Sequence, residues 1–202
     1  MNTLLTSTIP TPIGPLTLVA SDGVLRGASF TDDPHEVQSR MDPDLRRAEL
    51  RRVGDLGAIT DALRAYFAGE VTAIDSLPVE QAGNGYFQSA WKAMREVPAG
   101  STLSYRDLAA RVSDPGTARA AGYACASNQV VLVVPCHRII RTDGTLGDYY
   151  YGLDVKSWLL RHEGVDVGLP LQAEPPAAMA GAAARKAARS RARGGRGASR
   201  GL

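Results

Sequence analysis

The sequence predicts an α/β N-terminal domain, a small sheet plus a helix over residues 1–80. A mainly α C-terminal domain with a helix-turn-helix follows over 81–170, and then a disordered basic tail over 171–202. Three observations carry that reading. Short apolar segments flank a glycine-containing turn near the N-terminus, apolar residues then recur at helical spacing, and after Pro170 the chain loses apolar periodicity and fills with Ala, Arg and Gly. A chain of 202 residues with 44% hydrophobic content suits one large domain or two small ones with a real core.

Ile13 to Ala20 and Val24 to Thr31 surround Ser21-Asp22-Gly23 and predict a β-hairpin. Leu56, Ile59, Leu63 and Phe67 recur every three or four residues, which predicts a helix from Leu56 to Ala68 stopped by Gly69. Asp75 to Asn84 reads as the connector. Asn84 then caps a helix whose face carries Phe87, Trp91 and Met94, broken at Pro98-Ala99-Gly100. Ser104-Tyr105-Arg106-Asp107 is a capping box with Asp in place of Glu, opening a short helix through Val112. Asp114-Pro115-Gly116 is a turn and Thr117 caps a helix from Ala118 to Ser127, so the pair forms a helix-turn-helix candidate. Val130 to Val134 predicts a buried strand, Thr142-Asp143-Gly144 a turn, Tyr149-Tyr150-Tyr151-Gly152 an aromatic loop, and Leu153 to His162 a last helix ended by Gly164.

The net charge of +2 is unevenly spread. Seven of the 23 basic residues and one of the 21 acidic ones lie from Leu171 onward, which leaves 16 against 20 in residues 1–170, a net of −4. Nucleic-acid binding by the folded part therefore needs a local basic face or the tail, because global attraction is absent. No apolar run is long enough to span a bilayer, and Met1 to Pro10 lacks the features of a secretory signal. Two cysteines, Cys125 and Cys136, can make neither a disulfide framework nor a four-ligand zinc site. A reducing cytoplasm is the natural compartment, although the spacing does not forbid a disulfide between the two.

The densest chemistry lies at Val133-Val134-Pro135-Cys136-His137-Arg138. A thiol becomes a nucleophile on deprotonation, and an adjacent imidazole or cation is the usual means. Pro135 ends a strand ladder and turns the chain outward, which would set Cys136 at a strand end facing a cleft. The competing reading is a small buried hydrophobe. The helix from Ala118 also has two readings: a packed helix in a tight core, or a small-residue surface pressed against a nucleic-acid groove with Arg119 as its only charge. Glu163, at the negative end of the last helix's dipole, calls for a partner.

The ordered set Ser104-Tyr105, Ala118-Arg119-Ala120, Asn128, Pro135-Cys136-His137-Arg138, Tyr149 and Arg161-His162-Glu163-Gly164 resembles the O6-alkylguanine-DNA alkyltransferase (methylated-DNA–protein-cysteine methyltransferase) family. The resemblance is strong over Asn84 to Val165 and looser before it, where Thr11-Pro12-Ile13-Gly14-Pro15-Leu16 looks like the family's opening strand. It implies direct-reversal DNA repair: Cys136 takes a small alkyl group from guanine O6 in one displacement and keeps it as a thioether, so the protein is consumed.

In that scheme His137 takes the thiol proton through a bridging water, Glu163 orients the imidazole, and Asn128 holds the active-site turn. Tyr105 helps to rotate the nucleotide out of the duplex and donates to the guanine ring. Arg119 fills the vacated stack, with Thr117, Ala118, Ala120 and Gly122 lying at the DNA. Val134, Ile139, Tyr149 and Tyr150 form the base pocket. Arg138 is read as structural rather than catalytic. The implied partner is double-stranded DNA carrying O6-alkylguanine, bound by a monomer, with no membrane, cofactor or metal.

Two departures stand out. Tyr123 replaces a small residue on the groove-facing helix, so close approach requires it to point away, and Tyr150-Tyr151 is bulkier than the small-residue loop of some relatives. The tail is either a solvated extension or a phosphate-binding arm. The rivals are an alkyltransferase-like module that binds lesions without chemistry, a cysteine hydrolase, and a regulator reading alkylation. Cys136, the lack of any identified oxyanion donors, and the lack of a second acceptor cysteine count against them in turn.

Overall fold

The structure, a computed structural model, describes residues 3–112 and 116–168. The predicted tail and the Asp114-Pro115 part of the predicted turn lie outside the described residues. The N-terminal half is built on four strands, β1 (Thr3–Thr11), β2 (Gly14–Ser21), β3 (Val24–Ser29) and β4 (Glu49–Arg52), in the order β3-β2-β1-β4. β1 and β3 are both antiparallel to β2, and β4 runs parallel to β1. Two short helices, α1 (Pro34–Gln38) and α2 (Pro43–Arg46), precede β4, and α3 (Ala58–Phe67) follows it. The C-terminal half holds α4 (Gly85–Arg95), α5 (Tyr105–Arg111), α6 (Ala118–Ser127) and α7 (Leu153–His162), with a two-residue parallel pair, β5 (Leu103–Ser104) and β6 (Ile139–Ile140).

Caps explain where the C-terminal helices begin. Asn84 accepts from Phe87 N at 2.9 Å to open α4, and Thr117 accepts from Ala120 N at 3.2 Å to open α6. Ser104 accepts from Asp107 N at 3.0 Å and returns its own hydroxyl to Asp107 Oδ2 at 2.7 Å, which is how Asp serves in a capping box one methylene short.

Three expectations are corrected. Thr11 to Leu16 is not an opening strand: β1 begins at Thr3, and Pro12-Ile13 is its turn into β2. The predicted hairpin forms from β2 and β3 with a register shift between Val19 and Ala20, but its second strand ends at Ser29 rather than Thr31. Most consequentially, Val130 to Val134 is a fully buried turn, not a strand, with Leu132 in the left-handed region at φ 71°. Only Val130 forms a ladder contact, to Ala28; Val134 N then bonds back to Val130 O at 3.0 Å. β-branched composition favours a strand, but a run packed on all sides need not take one.

The two halves share one core. Leu16, Leu18, Ala28, Phe30, Leu63 and Tyr66 pack in the same cluster as Trp91, Met94, Leu108, Val134 and Leu159. The outer edge of β3 is covered by the connector and by the segment after α6: Leu25 N donates to Pro78 O, Ala28 N to Gln129 O, and Val131 N to Ala28 O. The N-terminal sheet is thus the scaffold against which the cysteine segment is laid. A smaller cluster of Leu4, Val19, Val37 and Met41 seats α1 on the opposite face.

Gly27 sets how closely α1 and the residues after it approach β3, because a Cβ there would stand 2.6 Å from Met41 Cε and 2.7 Å from Val37 Cγ1. Gly27→Ala is expected to cost about 1–3 kcal/mol in urea unfolding. Gly54→Ala, where a Cβ meets nothing within 4 Å, should stay within about 0.5 kcal/mol of the parent.

Candidate active site

The buried turn delivers Cys136 to the start of a 3-10 helix, Cys136–Arg138, rather than to the end of a strand. Asn128, the residue after α6, cross-braces this segment. Its Nδ2 donates to Val134 O at 2.8 Å and to Cys136 Sγ at 3.3 Å, and its Oδ1 accepts from Val130 N at 3.0 Å and from Gln81 Nε2 at 3.2 Å. Gln81, in the connector, accepts from Gln129 N at 2.7 Å through its other amide atom, so a residue between the halves fixes the Asn128 amide. Both cysteines are free thiols.

His137 is fully buried, and its Nε2 lies 2.9 Å from Glu163 Oε1. Glu163 caps the C-terminal end of α7, and its carboxylate collects the donors that such a position requires. Arg138 donates to both oxygens, Nε to Oε2 at 2.8 Å and Nη2 to Oε1 at 2.9 Å, and its Nη1 reaches Val97 O at 2.6 Å. Tyr66, from α3 of the N-terminal half, donates its hydroxyl to Oε1 at 2.8 Å. Burial alone would raise the Glu163 carboxyl, but His137 and Arg138 outweigh it and hold it well below the usual carboxylate range.

An ionised carboxylate only accepts, so His137 must carry its proton on Nε2. That leaves Nδ1 as a lone pair, and Nδ1 is buried with no hydrogen-bond partner among the described residues. Burial also lowers the imidazole's proton affinity more than Glu163 raises it, so the ring is neutral at pH 7. The Cys136 thiol is raised by burial, against smaller downward pulls from the Asn128 hydrogen bond and the Lys156 and Arg40 charges. The resting pair is therefore a protonated thiol beside an unprotonated base.

Tyr105 opens α5 outside this network. It is half-buried, its hydroxyl reaches toward Asp148 O at 3.5 Å, and burial pushes the phenol up, so it stays a donor at any physiological pH. Val134, Ile139 and Tyr149 are buried near the thiol's segment, while Tyr150 is 44% exposed. Tyr151 turns inward, packs edge-on to Phe30 and shares a 2.7 Å hydrogen bond with Ser29 through its hydroxyl, so of the two only Tyr150 is exposed. On α6, Thr117, Ala118 and Arg119 are exposed and Ala120 and Gly122 half-buried. Tyr123 is 62% exposed and stands four residues after Arg119, on the same helical face.

Sequence reasoning missed four contributors. Tyr66 looked like one more position on an apolar helix, and its signal was the hydroxyl, which a buried tyrosine must satisfy. Gln81 lay unremarked within the predicted connector. Arg40 donates to Ala126 O and Asn128 O and lies 5.3 Å from the Tyr150 ring centroid, a placement only the fold reveals. Lys156 is fully buried, donates to Ile139 O and Leu146 O, and is drawn down to about 8 by burial.

Comparison with known proteins places both halves of the chain in one family. A model of the 6-O-methylguanine DNA methyltransferase DNA binding domain matches residues 85–165, and one of the same enzyme's ribonuclease-like domain matches residues 4–81. A methylated-DNA–protein-cysteine methyltransferase of Shigella flexneri is 38% identical over 164 residues, 80% of this chain and 96% of that protein. The protein of that name from Mycobacterium tuberculosis is 37% identical over 157 residues, 77% of this chain and 90% of its own. A crystal structure of M. tuberculosis OGT in complex with DNA superposes with a TM-score of 0.68 at 34% identity, covering 79% of this chain and 92% of that one. With both halves matched in order and the relatives covered almost end to end, the chain belongs to the methylated-DNA–protein-cysteine methyltransferase family.

Proposed function

We propose that this protein repairs DNA by direct reversal, moving a methyl or other small alkyl group from O6 of guanine to Cys136 in a single, irreversible step. The observation that carries the reading is what flanks one thiol: Sγ on the Asn128 amide, and next in the chain His137, with Nδ1 unpartnered among the described residues and Nε2 tied to a carboxylate that Arg138 keeps ionised.

His137 Nδ1, through a bridging water, takes the proton of Cys136. The thiolate attacks the alkyl carbon, the S–C bond forms as the C–O6 bond breaks, and the electron pair leaves on the guanine oxygen. The restored guanine gains one proton at its ring nitrogen, which balances the one lost by the thiol, and no other reactant is consumed. Glu163 steadies the imidazolium while it exists, as in triads that lack an acyl intermediate. A thioether has no easy leaving route, so each molecule acts once.

Guanine O6 is out of a thiol's reach inside a stacked duplex, so the base must be flipped. α5 and α6 then act as a helix-turn-helix. Thr117, Ala118, Ala120 and Gly122 lie along the minor groove, Arg119 fills the emptied stack, and Tyr105 supports the turned backbone and donates to the base. Tyr123 rides beside Arg119 and replaces part of the close small-residue approach with an aromatic contact. Val134, Ile139, Tyr149 and Tyr150 surround the flipped base. The partner is duplex DNA bearing O6-alkylguanine, engaged by a monomer, and a reducing cytoplasm suits a single-use free thiol. Among the described residues no helix is long and apolar enough to cross a membrane.

Incubation with an O6-methylguanine duplex followed by peptide mass spectrometry should find one methyl group per protein, on Cys136 and not on Cys125. Cys136→Ser should bind the lesion and stay unmodified. Absence of transfer would favour the lesion-binding module instead.

The base must be neutral to act, and burial lowers the His137 value. Transfer should therefore lose its rate as pH falls only below the ordinary imidazole value of 6.5, in single-turnover measurements across pH 5 to 8.

O6-benzylguanine should react slowly beside the methyl adduct because Tyr150 flanks the entrance. Tyr150→Ala should speed the benzyl reaction by about tenfold or more, a change of about 1.4 kcal/mol in barrier. Equal benzyl rates for the two proteins would remove Tyr150 from the doorway.

A further inference from the structure

The acceptor scheme above uses only residues of the C-terminal half, yet the carboxylate that orients its base is also held by the other half. Tyr66 is fully buried in α3, and its hydroxyl donates to Glu163 Oε1 at 2.8 Å. The same oxygen accepts from His137 Nε2 and Arg138 Nη2, both at 2.9 Å, so three donors converge on one carboxylate oxygen. An oxygen with two lone pairs cannot serve three donors at full strength. The phenol and the imidazole therefore compete for it.

The placement of Tyr66 is rigid. His162 Nε2 donates to Tyr66 O at 2.7 Å, the His162 ring meets the Tyr66 ring edge-on at 5.1 Å, and Trp158 stacks on His162 at 4.9 Å. The end of α3 is thus clamped to the last turns of α7, directly before Glu163.

We infer that Tyr66 is a positioning residue for the acceptor reaction: by sharing Glu163 Oε1 with His137 it weakens the carboxylate's hold on the imidazole and keeps His137 a neutral base with Nδ1 open. The N-terminal half thereby bears on the reactivity of a thiol carried by the other. The inference rests on the acceptor reading of Cys136, but its first readout does not depend on alkyl transfer.

The sign follows from the surroundings of His137. Glu163 on α7 favours the imidazolium; Arg138 beside it and Lys156 on α7 oppose it, as does burial. Around Tyr66 stand Glu163, Arg138 and Asp75, with His162 on its ring. Removing the phenolic donor leaves Oε1 to His137 and Arg138, which strengthens the His137–Glu163 bond and favours the protonated ring.

Tyr66→Phe is the matching variant. It removes one oxygen, leaves the ring packing, and leaves Glu163 with its other three hydrogen bonds. Only three histidines are present, so His137 can be assigned by NMR by elimination once separate replacements of His35 and His162 have identified the other two signals. The His137 midpoint should lie at least about half a pH unit higher in the variant than in the parent, the scale of a hydrogen bond to a charged group. The acid limb of single-turnover transfer should move the same way.

Ser29→Ala is the control. It removes a hydrogen bond of similar length between the halves, Ser29 to Tyr151 at 2.7 Å, without touching Glu163, and should leave the His137 midpoint in place. Coincident midpoints in parent and Tyr66→Phe, a lower one in the variant, no titration in either before the fold is lost, or an equal rise in Ser29→Ala would each overturn the inference. A raised midpoint together with a parent protein that transfers no alkyl group would instead overturn the acceptor reading and, with it, the role assigned to Tyr66.

Discussion

A single buried carboxylate organises this molecule. Glu163 sits where a helix dipole disfavours negative charge and where burial disfavours it further, and it is ionised because donors from two places surround it: Tyr66 of α3, and His137 and Arg138 of the 3-10 helix. Arg138 is the indispensable one. Arg138 is itself 2% exposed, so each of the two charges is the other's solvation, and removing either strands its partner in a medium that cannot screen it. Because Arg138 also holds Val97 O, after α4, and Tyr66 belongs to the N-terminal core, the packing of both halves converges on one pair of oxygens.

The thiol's segment depends on that anchor from one side and on Asn128 from the other. A buried turn with a leucine at φ 71° costs about 1–2 kcal/mol relative to an ordinary backbone, and it persists because the surroundings leave no alternative. Asn128 uses both amide atoms across the turn, so the chain on either side of Leu132 is held at a fixed span. Gln81 in turn fixes the amide, and Gln81 belongs to the connector that pairs with β3. The N-terminal sheet, which contributes no nucleophile, thus determines the shape of the turn that presents one.

Much of this was legible in the sequence, and the parts that were not share a cause. Helices whose ends are written in local chemistry read correctly: the Asn84, Ser104 and Thr117 caps place α4, α5 and α6, and Leu153–His162 has the bounds its pattern suggests. The adjacency of Cys136 and His137 and the unfavourable position of Glu163 pointed to one another along the chain. What failed was whatever depends on partners distant in sequence. Val130 to Val134 has strand composition, but its neighbours are Asn128's side chain and a single residue of β3, which make a turn. Tyr150 and Tyr151 look alike in sequence, yet one faces solvent and the other bonds Ser29, 122 residues away. Tyr66 and Arg40 carried no local mark of their bonds to a site about 100 residues on.

The electrostatics of the resting site suit a protein that can act once. An exposed thiolate would be captured by the first electrophile or oxidant it met, and a single-use acceptor has no means of recovery. Here burial holds Cys136 as a thiol and His137 as a free base, so neither charge of the ion pair exists at rest. The groups that favour the thiolate, Asn128, Lys156 and Arg40, are in place but are outweighed by desolvation. In the proposed reaction, the base that brings the electrophilic carbon also changes the desolvation that these groups oppose. The nucleophile is thus generated together with its target, and the buried carboxylate behind His137 keeps that proton transfer within reach without making it spontaneous.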